Sequence, residues 1–82
     1  MEKRIGAVII LVREKDSISE LNSILSIHSD IVIGRQGIPL RDRHISVISL
    51  VLEGTTDDIN SLTGKLGRLK GIKVKSVLTK QE

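Results

Sequence analysis

Residues 4–12, RIGAVIILV, are rich in β-branched side chains and almost continuously apolar. That pattern predicts a central strand covered on both faces. The period then changes. In REKDSISELNSILSIHS, Ile18, Leu21, Leu25 and His28 fall on one helical face with Ile24 beside them. Asp16 or Ser17 can cap this helix, and Glu20, three positions after Ser17, completes a capping-box pattern. A second strand is expected from about Ile31 to Ile38, and LRDR, residues 40–43, makes a turn. HISVISLVLE then reads as a third strand, as long and apolar as the first.

A second helix follows, capped by Thr55 or Thr56, with Asp57 and Asp58 at its positive end. Ile59, Leu62, Leu66 and Leu69 form its apolar stripe, and Gly71 stops it. The last segment, IKVKSVL, alternates through Lys75 as an edge strand with one wet face does. The order is β-α-β-β-α-β, the ferredoxin-like motif of the α+β class. Right-handed crossovers put the first and third strands in the centre of a four-stranded antiparallel sheet, with both helices on one face. The opposite face then carries alternate residues of the central strands, several of Gly6, Val8, Ile10 and Val12 or their neighbours. An aliphatic patch of this kind is rarely left in water. A second copy is expected to cover it, or sheets to join edge to edge.

Composition narrows the function. The chain has 82 residues, enough for one small domain, taken as residues 1–82. A domain of this size has marginal stability or borrows it from a partner. Phe, Tyr and Trp are absent, so no aromatic platform exists for stacking nucleic-acid bases. The net charge of +3 is spread along the chain, a weak footprint for direct nucleic-acid binding. With no cysteine, disulfides, thiolate nucleophiles and cysteine metal sites are excluded. The apolar run from Ile5 to Val12 is too short to span a bilayer and meets charges instead of a cleavage site. A cytoplasmic protein is expected.

Candidate chemistry is sparse. In IGRQGIPLRDRH, Gly34, Gly37 and Pro39 suit an edge strand, where a missing N–H harms no ladder. The same glycines would let a ligand or a neighbouring subunit approach the backbone, with Arg35 and Arg41 supplying a fork for carboxylate or phosphate. His28 is read as a packed or C-capping histidine, and His44 opens the third strand. Two histidines without cysteine make a poor metal site. TGKLGRLKG, residues 63–71, lacks the spacing and position of a phosphate-binding loop. Gly64 and Gly67 inside a helix each cost up to about 1 kcal/mol against alanine, which close packing would offset. Lys65, Arg68 and Lys70 form a solvated basic face or, alternatively, a surface for phosphate or an acidic partner. No nucleophile is linked by spacing to a base, so no catalytic residues and no enzymatic activity are expected.

The segments IGRQGIP (Ile33–Pro39) and LTGKLGRLKGIKVK (Leu62–Lys75), with the EKRIGAV start, resemble the small family named as regulators of the iron-only hydrogenase system. The resemblance covers nearly the whole chain. It implies an ACT-like, ferredoxin-like domain similar to the C-terminal domain of the nickel-responsive repressor. It further implies assembly into a dimer or tetramer, small ligands sensed at subunit interfaces, and a link to maturation or regulation of that hydrogenase. Three departures count against nickel sensing, direct DNA binding and the usual amino-acid pocket. There is no cysteine, the first strand is expected to begin almost at Met1, so that a DNA-binding arm is not expected, and VREKDSIS has no glycine.

The leading expectation is an oligomeric regulatory domain with a small-molecule effector of unspecified identity. Its ligand or interface residues would be Gly34, Arg35, Gly37, Pro39, Arg41 and His44, with Gly64, Lys65, Gly67 and Arg68 as a second segment. The alternative is a ligand-free adaptor that docks on a hydrogenase maturation protein through the basic helix face.

Overall fold

A computed structural model describes residues 2–79. Met1 and residues 80–82, part of the expected domain span, lie outside the described residues. The strands are β1 (Arg4–Val12), β2 (Val32–Leu40), β3 (Ile45–Gly54) and β4 (Ile72–Leu78), and the helices α1 (Ile18–Ile27) and α2 (Thr56–Gly67). They run β1-α1-β2-β3-α2-β4, and the sheet order is β2-β3-β1-β4 with every neighbour antiparallel. This is the expected ferredoxin-like α+β arrangement, with the two most apolar strands in the centre. Short 3-10 turns at Lys15–Ser17, Ser29–Ile31 and Arg41–Arg43 link the elements. No helix among the described residues is long and apolar enough to cross a membrane.

The core lies between the sheet and the helices. Val8, Ile10, Leu50 and Leu52 from the central strands meet Leu21 of α1 and Ile59, Leu62 and Leu66 of α2. Each is essentially inaccessible to solvent. Burying a side chain of this size contributes about 1.5–3 kcal/mol. Gly6 lies on this face, opposite Leu52, and a Cβ there would come 3.4 Å from Ile59 Cδ1 and 3.0 Å from Leu78 Cδ2. Its lack of a side chain makes room for α2 and β4.

The helix starts differ. Thr55 caps α2 through a capping box. Its Oγ1 accepts from the Asp58 N–H at 3.1 Å, and Asp58 Oδ2 accepts from the Thr55 N–H at 3.2 Å. The capping box expected at Ser17 does not form. Ser17 is buried with helical dihedrals, and its hydroxyl donates to the Lys70 carbonyl at 2.6 Å. A tertiary partner has taken the group that local geometry offered to the helix. α2 also ends earlier than expected, at Gly67, and turn residues carry the chain to Gly71, whose φ is 73°.

The face away from the helices carries the neighbours of Val8, Ile10 and Val12, not those residues themselves. Val77, Ala7, Val51 and Gly34 form one row across it, and Lys73, Leu11, Val47 and Ile38 form another. Between them run Lys75, Ile9, Ser49 and Gln36. Ile9, Val51 and Ile38 keep 43%, 42% and 43% of their surface accessible, and Val77 keeps 70%. The patch is aliphatic at its centre and edged with lysine on β4.

Candidate functional site

Antiparallel pairing places Val12, the last residue of β1, opposite Ser46 near the start of β3. The β1–α1 and β2–β3 connections therefore meet at one end of the sheet. Each is held in a defined shape. The Arg13 N–H donates to the Gly71 carbonyl at 2.8 Å, and Ser17 bonds to Lys70, so the β1–α1 loop is tied to the turn before β4. Only glycine suits position 71. Its φ is positive, and a Cβ would lie 2.5 Å from Glu14 Cγ. Across the cleft, the Arg41–Arg43 turn ends on His44 at φ 53°, ψ 36°, with its N–H donating to the Arg41 carbonyl at 3.3 Å. Among described residues other than glycine, His44 alone has positive φ. Such a conformation is uncommon for a side-chain-bearing residue and recurs at ligand clamps.

Between these segments lies an open cleft of about 540 Å³, with Arg13, Lys15, Arg41 and His44 in its lining. This volume falls within the range of about 300–1,000 Å³ typical of small-molecule sites. Val12, Ile18, Leu40 and Ile45 supply an apolar surface in the same cleft. Ile18, expected in the α1 core stripe, is 36% exposed because it faces this opening. Among the described residues no acidic side chain lines the cleft. Among the described residues the ion pair is Glu14 with Lys70, 3.9 Å apart and mostly solvated, so the cleft cations have no carboxylate within ion-pair distance. Asp42, beside Arg41 in sequence, lines a separate shallow recess with Arg43.

The residues singled out from sequence separate into three places. Pro39, Arg41 and His44 reach the cleft. Gly34 and Gly37 lie on edge strand β2, where an added Cβ would meet nothing within 4 Å, so nothing in the chain itself approaches them closely. Arg35 points to the helix side and donates to Asn22 Oδ1 at 3.0 Å, beside a smaller hollow of about 310 Å³. Gly64 and Gly67 also face open space, so the packing expected to offset their helix cost is absent within the chain. Lys65 reaches across to α1 and donates to His28 Nε2 at 3.2 Å, and Arg68 caps the end of α2, exposed. His28 is itself the C-cap of α1. The α2 segment thus does not join the cleft.

Arg13 and Lys15 were not singled out from sequence. Their signal was topological: in this strand order the loop after β1 and the turn before β3 must share an end. Among the described residues no group of three or more His, Cys, Asp or Glu is positioned to hold a metal ion.

Comparison with known proteins gives the chain a family. No curated protein sequence matches it. Among solved structures, the uncharacterized protein TM1266 from Thermotoga maritima is similar over 96% of this chain and 100% of that one, at TM-score 0.91 and 35% identity. The ACT domain from GTP pyrophosphokinase of Chlorobium tepidum matches at TM-score 0.68 and 18% identity, over 94% of this chain and 89% of that one. The C-terminal domain of the MgtC protein from Mycobacterium tuberculosis matches at TM-score 0.71 and 14% identity, over 93% and 87%. The last two share the fold alone. With a family model matching residues 4–76, the chain belongs to the TM1266-like family, described as "Iron-only hydrogenase system regulator, putative".

Proposed function

We propose that this chain, acting as a single ACT-like unit in the cytoplasm, is an oligomeric, ligand-sensing regulatory module linked to the iron-only hydrogenase system. The reading is regulatory rather than catalytic. The observation that carries it is the uncovered aliphatic face of the sheet, centred on Ala7, Ile9 and Val51. Water is a poor neighbour for so continuous a patch, and a two-fold axis lets one such face cover another. β2 supports the same reading, because it is an outer strand of the sheet with one edge unpaired among the described residues. An effector bound near a subunit contact would act by favouring one quaternary arrangement, which requires different affinity for the two arrangements.

Sedimentation at micromolar concentration tests assembly. A dimer or tetramer is expected, and Ile9→Glu should reduce it to monomer. Lys75 lies opposite Ile9 and gives the new carboxylate a cationic neighbour, so the fold should tolerate the change. A wild-type chain that runs as a single monomeric species at this concentration overturns the reading. Sensing is tested by thermal unfolding against a metabolite collection, because a ligand bound only to the native state must raise the melting temperature. An oligomer unmoved by every compound, yet able to capture a hydrogenase maturation protein, would favour the adaptor instead. The tie between Lys65 and His28 counts against that alternative, since it occupies part of the proposed docking face.

A further inference from the structure

The cleft at the loop end of the sheet allows the ligand class to be named. We propose that it binds a small aliphatic oxyanion, a carboxylate or a phosphate ester, held by Arg13, Lys15, Arg41 and His44. This inference rests on the sensing function proposed above and adds the site and the chemistry.

The cations come from two loops far apart in sequence, and the fold brings them around one opening. Like charges gathered in this way repel one another, and among the described residues no acid in the lining offsets them. A cleft lined by one sign of charge beside low-dielectric walls concentrates its counter-ion. Two guanidinium forks suit planar carboxylate or phosphate oxygens, and an imidazole offers an N–H donor in either protonation state. His44 is also held in left-handed backbone geometry at the end of the turn that carries Arg41.

The remaining lining limits the rest of the ligand. Ile18, Leu40 and Ile45 form an aliphatic surface next to the cations. Phe, Tyr and Trp are absent, so a nucleotide base would find no large aromatic platform, only the His44 imidazole and the arginine planes. A short aliphatic chain ending in an oxyanion matches both parts of the cleft.

The test uses the full chain and three probes of similar length: butyl phosphate, pentanoate and the neutral pentanamide. Backbone amide resonances report where each binds, and sedimentation reports the assembly. At about millimolar probe concentration, one or both anions should shift the amides of residues 13–15 and 41–46. Pentanamide should leave them unmoved. The double variant Lys15→Gln, Arg41→Gln should weaken binding by about tenfold or more, the expected size for loss of charged hydrogen bonds. Added salt should weaken it as well. Which anion binds tighter separates carboxylate from phosphate. Equal shifts with pentanamide, shifts confined to other residues, unchanged affinity in the double variant, or no shifts with either anion would each overturn the proposal.

The two readings fail separately. A compound that raises the melting temperature equally in wild type and double variant leaves sensing intact and removes the cleft as its site. An anion bound in the cleft that never changes the assembly supports the site and removes the quaternary mechanism.

Discussion

On the helix side of β1, Val8 and Ile10 are wholly buried, whereas Ile9, between them in sequence, keeps 43% of its surface. On β3, Leu50 and Leu52 are buried and Val51 keeps 42%. These residues are all aliphatic, although Ser49 and Glu53 also lie on the outward row of β3. The difference lies in what covers each. Two helices close one side, while no element among the described residues covers the other. The glycines differ from one another in a separate way. At Gly71 a side chain would collide with Glu14, while at Gly64 it would meet nothing within 4 Å. A side chain is excluded where the β1–α1 loop meets the turn before β4 and admitted on the outer surface of α2.

Substitutions can break or sharpen this contrast. The largest effect is expected at Leu52→Ala, which opens a cavity under α2. Urea unfolding should show a loss of about 2–5 kcal/mol. A loss below this range would mean that the helix side is loosely packed. Gly71→Ala comes next, at about 1–3 kcal/mol for forcing a side chain into positive φ, with Glu14 displaced as well. Wild-type stability in this variant would show that the β1–α1 loop is not pinned by the turn before β4.

On the open side the effects on the fold should be smaller. Ile9→Glu, studied at dilution where the chain is monomeric, should cost about 1 kcal/mol or less, within the span of strand preferences. The same variant should lose its assembly at micromolar concentration. If it unfolds outright, the outer row belongs to the core after all. The smallest change should be a gain, and it falls on the outer surface of α2 rather than on the sheet. Gly64→Ala replaces glycine in a helix with no steric obstacle, and about 0.5–1 kcal/mol of added stability is expected. A variant that gains stability but loses assembly would show that a neighbouring subunit fills the space beside Gly64.

Local pattern carried much of this fold. The strand runs, the apolar stripe of α2 through Leu66 and the Thr55 cap depend on near neighbours along the chain and form close to where their patterns pointed, while Leu69 falls beyond the end of the helix. Ser17 shows the limit. Its spacing to Glu20 matches a capping box, but its hydroxyl bonds to Lys70, a residue 53 positions away. The candidate site divides in the same way. LRDRH marked Arg41 and His44 through a dense run of charge next to a turn. Arg13 and Lys15 look ordinary in sequence, and they become part of a cleft only because β1 ends where the antiparallel β3 begins. Arg35, although close to Arg41 in sequence, projects from the other part of β2 toward α1 and bonds to Asn22.

The sequence by itself determined the order of elements, the central position of the two most apolar strands and the absence of aromatic or thiol chemistry. Periodicity and composition are properties of neighbouring residues and need no contact map. Only the tertiary structure decided which aliphatic row faces the helices, because a strand apolar on both faces carries no alternation to mark its inner side. It also decided which cations share an opening, since that depends on how distant loops meet across the sheet.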